Sequence, residues 1–256
     1  MDKLLNEPWL MGLLLALALA GTIELGRMTT AHFKILEDKD RKEQLTAIRD
    51  GLFVLVSLLL GFTLALAVPR FTERRSLLIE EAVSIGTTYL RAGTLQETYR
   101  EHSRKLLREY VDVRIELDNA NLSPEQFADL SRRAKHIQSE LWSDVLAFSQ
   151  TDRTAIAATY INTLNQTIDL HDKRTAAMEN RIPISIWLLI SIVALIAVFA
   201  RGLTLNRRFW LTLVLAPITI AIVIALVADL DTPGSGMIRL DQRAMQRLKL
   251  DLSTEP

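Results

Sequence analysis

Residues 51–69, GLFVLVSLLLGFTLALAVP, run for 19 residues without a charged side chain. An α-helix rises about 1.5 Å per residue, so about 20 apolar residues cross the ~30 Å hydrocarbon layer of a bilayer. The helices of soluble bundles carry a polar face, and this run has none over its central turns. The stretch therefore predicts a membrane-spanning helix.

Three more uncharged runs of similar length lie elsewhere in the chain. With the first they predict four transmembrane helices at residues 8–25, 51–69, 182–200 and 209–228. A signal peptide is the alternative for the first run, but acidic residues flank it and no small-residue cleavage site follows before the next charges, which favours a retained helix. No strand alternation occurs, so we expect an all-α, multi-pass membrane protein.

Residues 70–181 are charged and show the apolar periodicity of amphipathic helices. The second membrane helix is predicted to continue past Arg70 without a break, because Leu78, Ile85 and Tyr89 recur at helical spacing. Ser123-Pro124 followed by Gln126 is a capping-box signature, and another helix is predicted to begin at Thr151-Asp152. The predicted organisation is a membrane hairpin (1–69), an inserted helical extramembrane domain (70–181), a second hairpin (182–228) and a tail (229–256).

Composition excludes several classes of protein. The 30 basic and 30 acidic residues cancel, whereas nucleic-acid binders carry a basic excess. The absence of cysteine removes disulfides, thiolate metal sites and cysteine nucleophiles. The four histidines have no zinc-site spacing, and the glycine-rich and nucleophile motifs of common enzymes are missing. We therefore expect no enzyme and no cofactor.

Four crossings place both termini and the middle domain on one side of the membrane. The two short connections, 26–50 and 201–208, hold nine basic residues. The positive-inside rule favours the cytoplasm for such loops, since long domains translocate largely regardless of charge. The expected location is the cell membrane, with the middle domain and termini on the extracytoplasmic side.

Charged residues near the membrane ends are the candidate functional groups. Glu24 continues a series of small residues, Gly12, Ala16 and Ala20, so it is predicted to face protein at the membrane boundary, as a functional group or simply as an interfacial carboxylate. Asp229 lies beside a predicted tight turn.

Two further sets complete these candidates. Asp229 and Asp231 are predicted to bind a cation or an arginine of another subunit, or only to end the fourth helix. Beyond the second helix, a charge cluster forms either a pore mouth that concentrates anions or a solvated helix face. Its candidate mouth residues are Arg74, Arg75, Glu80 and Glu81.

Several short motifs between residues 50 and 245 resemble the bestrophin-like family of bacterial membrane proteins. The motifs are Gly61-Phe62-Thr63, Glu73-Arg74-Arg75, Glu80-Glu81-Ala82, Ile85-Gly86-Thr87, Leu107-Arg108-Glu109-Tyr110, Arg181-Ile182-Pro183 and Asp229-Leu230-Asp231. One departure is Thr232, which stands where the family pattern often has arginine.

The resemblance implies a homo-oligomer, a pentamer by analogy with bestrophins, that passes chloride or other small anions. It implies that the second helix lines the pore, with Leu58, Phe62 and Leu66 as a hydrophobic constriction, and that Asp229 and Asp231 correspond to a calcium clasp. Bestrophins keep the middle domain in the cytoplasm, opposite to the orientation that the loop charges favour. The alternative is a non-conducting, membrane-anchored interaction or sensory module.

Overall fold

The computed structural model describes residues 8–33, 39–119, 122–150, 154–205, 210–232 and 236–254, and within these ranges all regular structure is α-helical. The helices are α1 (Pro8–Phe33), α2 (Lys39–Ala92), α3 (Glu97–Leu117), α4 (Pro124–Phe148), α5 (Ala155–Glu179), α6 (Ile184–Leu203), α7 (Trp210–Asp231) and α8 (Arg243–Thr254).

Four segments of the chain are long and apolar enough to cross a membrane, and each overlaps one of the four helices predicted from sequence. The all-helical, four-span architecture is thus confirmed. Helix α2 continues for 54 residues through Pro69, as its apolar periodicity predicts. It also begins at Lys39, twelve residues before the apolar run, because residues 39–50 are good helix formers with few breakers.

The chain divides into two compact units. Unit 1 comprises Met1–Phe71 and Arg181–Ile238. Its core consists of apolar side chains from α1, α2, α6 and α7, among them Leu19, Val56, Ile190 and Ile224.

Helices α1 and α6 pack closely against each other at a pair of glycines. A methyl group on Gly26 would overlap the carbonyl oxygen of Phe199, and one on Gly202 would overlap that of Ile23. Thr30 Oγ1 donates a 2.8 Å hydrogen bond to the Leu203 carbonyl at the same crossing. Glycine lets the two backbones touch, which is how membrane helices gain packing energy without a hydrophobic driving force.

Unit 2 comprises Thr72–Asn180 and Arg239–Pro256. Its core is apolar, with the rings of Tyr89, Tyr110, Phe148 and Tyr160 buried among aliphatic side chains. Burial of this surface holds the helices together, at about 25 cal/mol per Å².

Local sequence signals set the helix starts in unit 2. Ser123 caps α4 and Gln126 returns a hydrogen bond to the Ser123 N–H, so the predicted capping box is confirmed. The predicted start at Thr151-Asp152 lies outside the described residues, and α5 begins after Thr154, whose hydroxyl accepts from the Ala157 N–H.

Helix α8 lies against α3 in unit 2. Met245 and Leu252 are buried, Arg108 Nε donates to the Leu252 carbonyl at 3.1 Å, and Lys249 pairs with Asp112 at 2.7 Å. The sequence predicts this segment only as part of a tail. It is instead an ordered amphipathic helix, because its apolar side chains complete the core of unit 2.

Candidate functional site

One face of α2 is left uncovered within the membrane run. The candidate pore-lining residues Leu58, Phe62 and Leu66 lie on it, with 52%, 61% and 44% of their surfaces exposed. The opposite face, which includes Val56 and Ala67, is buried in unit 1. Three large apolar side chains at successive helical turns therefore form a continuous exposed stripe.

Small residues border this stripe. Ser57, Gly61 and Ala65 recur every fourth residue and are all exposed. A methyl group on Gly61 would meet no atom within 4 Å in the described part of the chain. Small residues at this spacing are typical of a surface on which a second helix packs closely. Because the three residues are exposed, no described helix of the same chain packs against them.

The charge cluster after the membrane run separates into buried and exposed residues. Arg75 and Glu80 are exposed, and Glu80 accepts a hydrogen bond from Ser76. Arg74 and Glu81 are buried in unit 2, with 1% and 0% exposure. Arg74 donates to the carbonyls of Ala177 and Asn180 at 3.0 and 2.9 Å, which satisfies orphan acceptors at the end of α5.

Glu81 is the centre of a buried ionic network. Arg114 places Nη2 3.0 Å from Glu81 Oε2 and Nε 2.8 Å from Oε1, the second contact being an ion pair without hydrogen-bond alignment. Arg174 Nη1 donates to Glu81 Oε2 at 2.7 Å. The other side of the Arg174 guanidinium binds both oxygens of Asp118, at 2.5 and 2.6 Å. Two arginines thus face two carboxylates, and their formal charges balance.

The network keeps its charges despite burial. Burial alone would raise the pKa of the Glu81 carboxyl, but the guanidinium groups of Arg114 and Arg174 outweigh it and leave that pKa below its ordinary value. Burial likewise opposes ionisation of Arg174, and Asp118 and Glu81 more than compensate, so its pKa is raised. Glu81 and Arg174 are therefore both ionised at neutral pH.

Neutral polar groups extend the network. The Tyr110 hydroxyl lies 3.3 Å from Glu81 Oε1 and 3.1 Å from His171 Nδ1, and it accepts from Gln138 Nε2 at 3.0 Å. Burial, aided by the charge of Arg114, lowers the pKa of His171 to about 4. His171 is consequently neutral at pH 7 and becomes a further buried cation only in acid.

Asp229 and Asp231 both accept hydrogen bonds from backbone N–H groups of unit 1. Asp229 binds the N–H groups of Met237 and Ile238 at 3.0–3.2 Å, and Asp231 binds that of Ile182 at 3.0 and 3.1 Å. Two carboxylates at the C-terminal end of α7 interact unfavourably with the negative end of the helix dipole. The hydrogen bonds from the backbone N–H groups offset this cost. The pair thereby fixes the chain after α7 and the entry to α6.

A calcium clasp at Asp229 and Asp231 would need further oxygen ligands. Calcium takes six to eight oxygen ligands. Across the residues that the structure describes, no group of three or more acidic or histidine side chains could hold a metal ion. The Asp229 and Asp231 oxygens already accept hydrogen bonds from backbone N–H groups.

Glu24 lies near the end of the first apolar run and forms an ion pair. Arg27 donates from Nε and Nη2 to its two oxygens at 2.9 and 2.5 Å, with about a fifth of each side chain exposed. The small-residue series before it is on a packed face, since a methyl on Gly12 would lie 2.8 Å from the Ala225 Cβ.

Sequence reasoning did not single out Arg114, Arg174 or His171. A signal for them exists in the apolar stripes of their helices. Arg114 follows the buried Tyr110 by four residues, and Arg174 follows the buried Leu170 by four. A charge on a buried stripe predicts a buried partner, because an isolated charge there is too costly.

The sequence matches the Bestrophin-like domain family over residues 12–245. The chain belongs to the bestrophin-like family. The match covers the four membrane helices and most of unit 2, so the resemblance carried by the short motifs is confirmed. A comparison with curated proteins finds no matching relative.

Solved structures of a bacterial bestrophin homologue from Klebsiella pneumoniae share the fold. One superposes with a TM-score of 0.71 at 15% identity, covering 95% of this chain and 99% of the homologue. A tryptophan-to-alanine variant of that homologue gives 0.71 at 14% identity, with 96% and 97% covered. At such identity the likeness establishes the architecture, and it extends over nearly the full length of both chains.

Proposed function

We propose that the protein is a homo-oligomeric channel that passes small anions such as chloride passively, with the exposed stripe of α2 lining its pore. The observation that carries the proposal is the uncovered stripe Leu58, Phe62 and Leu66 on the longest helix of a bestrophin-like chain. Bestrophins assemble around an axis as anion channels, and the stripe is the surface that such an assembly would turn inward.

The exposed stripes of the other membrane helices call for a different explanation. Helix α6 also exposes large side chains, Leu188, Ile192 and Ile196, and contact with lipid accounts for them. On α2 the small residues Ser57 and Gly61 border the stripe, and they favour a neighbouring helix rather than lipid. An α2 helix from a second copy would supply that neighbour.

The chemistry of the stripe fits a hydrophobic constriction. Rings of large apolar side chains gate pores by dewetting, and they pass an ion only when the ring is wide enough to hydrate. Arg75 is exposed after the membrane run and is a candidate for drawing anions to the mouth, whereas Arg74 is buried. We take the number of subunits as five by analogy with bestrophins.

We further propose a location in the bacterial inner membrane. The basic connections between α1 and α2 and between α6 and α7 support a cytoplasmic position for those loops. The termini and the region 70–181 would then be extracytoplasmic. A reporter that is active on only one side of the membrane, fused after Pro256, tests this orientation; activity on the cytoplasmic side would reverse it.

The channel proposal is tested by chloride efflux from liposomes that hold the purified oligomer. Phe62→Ala should raise the efflux per oligomer, because it removes the largest side chain of the stripe. The matched control is Ile192→Ala on the exposed face of α6, which should leave efflux unchanged.

Two outcomes would overturn parts of the proposal. Equal efflux from wild-type and Phe62→Ala channels would remove Phe62 from the constriction. No efflux from a well-folded oligomer across a range of voltage, pH and calcium would reject the channel and leave the interaction or sensory module as the remaining function.

A further inference from the structure

A basic corner of unit 1 lies where α2 begins its membrane run and α6 ends. We define it by Arg49, Asp50, Arg201 and Thr204. Arg49 Nε donates to Asp50 Oδ1 at 2.8 Å, and Nη1 donates to Thr204 Oγ1 at 3.2 Å. Arg49 Nη2 lies 2.7 Å from the same Asp50 oxygen in an ion pair. Only 16% of the Arg49 side chain is exposed, so its guanidinium is held in place from both sides.

Arg201 lies beside this pair in the last turn of α6. It is within electrostatic range of both Arg49 and Asp50. In the ranges that the structure describes, its guanidinium forms no ion pair, and it is partly exposed. Two guanidinium groups therefore lie near a single carboxylate, and the corner retains a positive charge that a ligand can reach.

The Arg201 side chain is not needed to cap the C-terminal end of α6. A cation at a helix C-terminus can stabilise its free carbonyls. Here the carbonyl of Arg201 itself accepts from the Thr204 N–H and hydroxyl, that of Gly202 from the Leu205 N–H, and that of Leu203 from Thr30. The last carbonyls of α6 are already satisfied, which leaves the Arg201 guanidinium available for another acceptor.

The backbone around the corner is fixed before any ligand arrives. Gly26 and Gly202 let α1 pack directly against α6 one residue beyond Arg201. The hydrogen bond from Thr30 to the Leu203 carbonyl joins the two helices at the same place. A preformed site loses little conformational entropy on binding.

We propose that the basic corner binds the phosphate of an anionic phospholipid headgroup. Arginine is suited to phosphate because its planar guanidinium donates two parallel hydrogen bonds and is always charged. Position favours a lipid over a dissolved ion, since Arg201 directly follows an apolar run of membrane-spanning length. Lys39 and Lys42 are exposed in the first turns of α2 and add to the positive potential on the same connection.

The test counts lipids that remain bound to the purified full-length protein. The protein is equilibrated with nanodiscs of phosphatidylcholine that contain a minor share of phosphatidylglycerol, released into detergent, and examined by native mass spectrometry. Wild-type chains should retain phosphatidylglycerol in preference to phosphatidylcholine. Arg201→Gln should reduce that retention about tenfold, the scale of one charge-assisted, two-point contact.

The controls separate a site from general attraction and from free phosphate. Lys42→Gln removes an exposed charge of the same connection and should reduce retention by less than about fivefold. Arg201→Lys keeps the positive charge but cannot donate two parallel hydrogen bonds, so it should retain more phosphatidylglycerol than Arg201→Gln and less than the wild type. Arg201 has no ion pair to lose within the described chain, so the variants should keep the helical circular dichroism and elution volume of the wild type.

Three results would overturn the proposal. Unchanged retention in Arg201→Gln would show that the corner binds no headgroup. Equal losses in Arg201→Gln and Lys42→Gln would indicate diffuse surface attraction. Displacement of phosphatidylglycerol by inorganic phosphate in the micromolar range would indicate a site for the free ion. None of these results depends on whether the protein conducts.

Discussion

Replacement of Glu81 by glutamine should unfold unit 2 far more easily, although the side chain keeps its size. Glu81 is the only carboxylate paired with Arg114 in the described part of unit 2, whereas Arg174 retains Asp118. The variant would leave the Arg114 guanidinium buried and unpaired. Breaking a buried ion pair by removing one partner costs about 3–5 kcal/mol, and we expect a loss of that size in the free energy of unfolding.

The adjacent residue supplies a matched control. Glu80 is exposed and accepts its hydrogen bond from the hydroxyl of Ser76, so Glu80→Gln should change stability by less than about 0.5 kcal/mol. Urea unfolding of the full chain in detergent micelles measures both variants.

Tryptophan fluorescence restricts that measurement to unit 2. Trp142 packs against its core, so the remaining tryptophans, Trp9, Trp187 and Trp210, would be replaced by phenylalanine in every variant. A loss under about 1 kcal/mol for Glu81→Gln would refute the reasoning, because a buried pair should cost several times more to break.

Two further predictions follow from burial and from helix packing. Burial lowers the pKa of His171 from 6.5 to about 4 in the folded chain. Between pH 6.5 and 4 the unfolded chain therefore binds a proton at His171 and the folded chain does not. The free energy of unfolding should fall by about 3 kcal/mol as the pH drops over this range. His171→Asn should flatten this part of the pH–stability curve, and the exposed His136→Asn should not; equal curves would contradict the assignment. Gly202→Ala should destabilise unit 1 by about 1–3 kcal/mol in thermal unfolding, since its methyl overlaps the α1 backbone, whereas Gly21→Ala, which meets open space, should be neutral or stabilising. Equal melting temperatures for the two glycine variants would disprove the close crossing.

Local signals were sufficient to predict most of the architecture. Run length and hydropathy decide the four membrane helices, because a single apolar segment satisfies its own backbone hydrogen bonds in lipid only as a helix. The capping box at Ser123 involves atoms three residues apart, and the continuation of α2 follows from one apolar stripe. In each case the relevant physics is contained within a few helical turns.

The candidate site depends on partners distant in sequence. Glu80 and Glu81 look equivalent in a charge cluster, yet only Glu81 meets arginines, located 33 and 93 residues further along the chain. Periodicity could have distinguished them, since Glu81 lies between the buried Leu78 and Ile85 at helical spacing. Which charges meet across helices follows from packing, and composition does not contain that information.

The role of Asp229 and Asp231 could not be read from their spacing either. Two carboxylates near a turn are compatible with a metal, an arginine or backbone donors. The structure gives them backbone N–H groups, including those of Met237 and Ile238 after the positive-φ residue Gly236. These N–H groups reach Asp229 only because the chain turns back after α7, and the spacing of the residues in the sequence does not specify that turn.

The reversal potential of single channels in planar bilayers tests the central proposal most directly. The purified oligomer would be recorded under a potassium chloride gradient across the membrane. An anion channel lined by the α2 stripe predicts a reversal potential at the Nernst potential of chloride. A reversal at the potassium potential, or a silent membrane with correctly assembled oligomers, would contradict it.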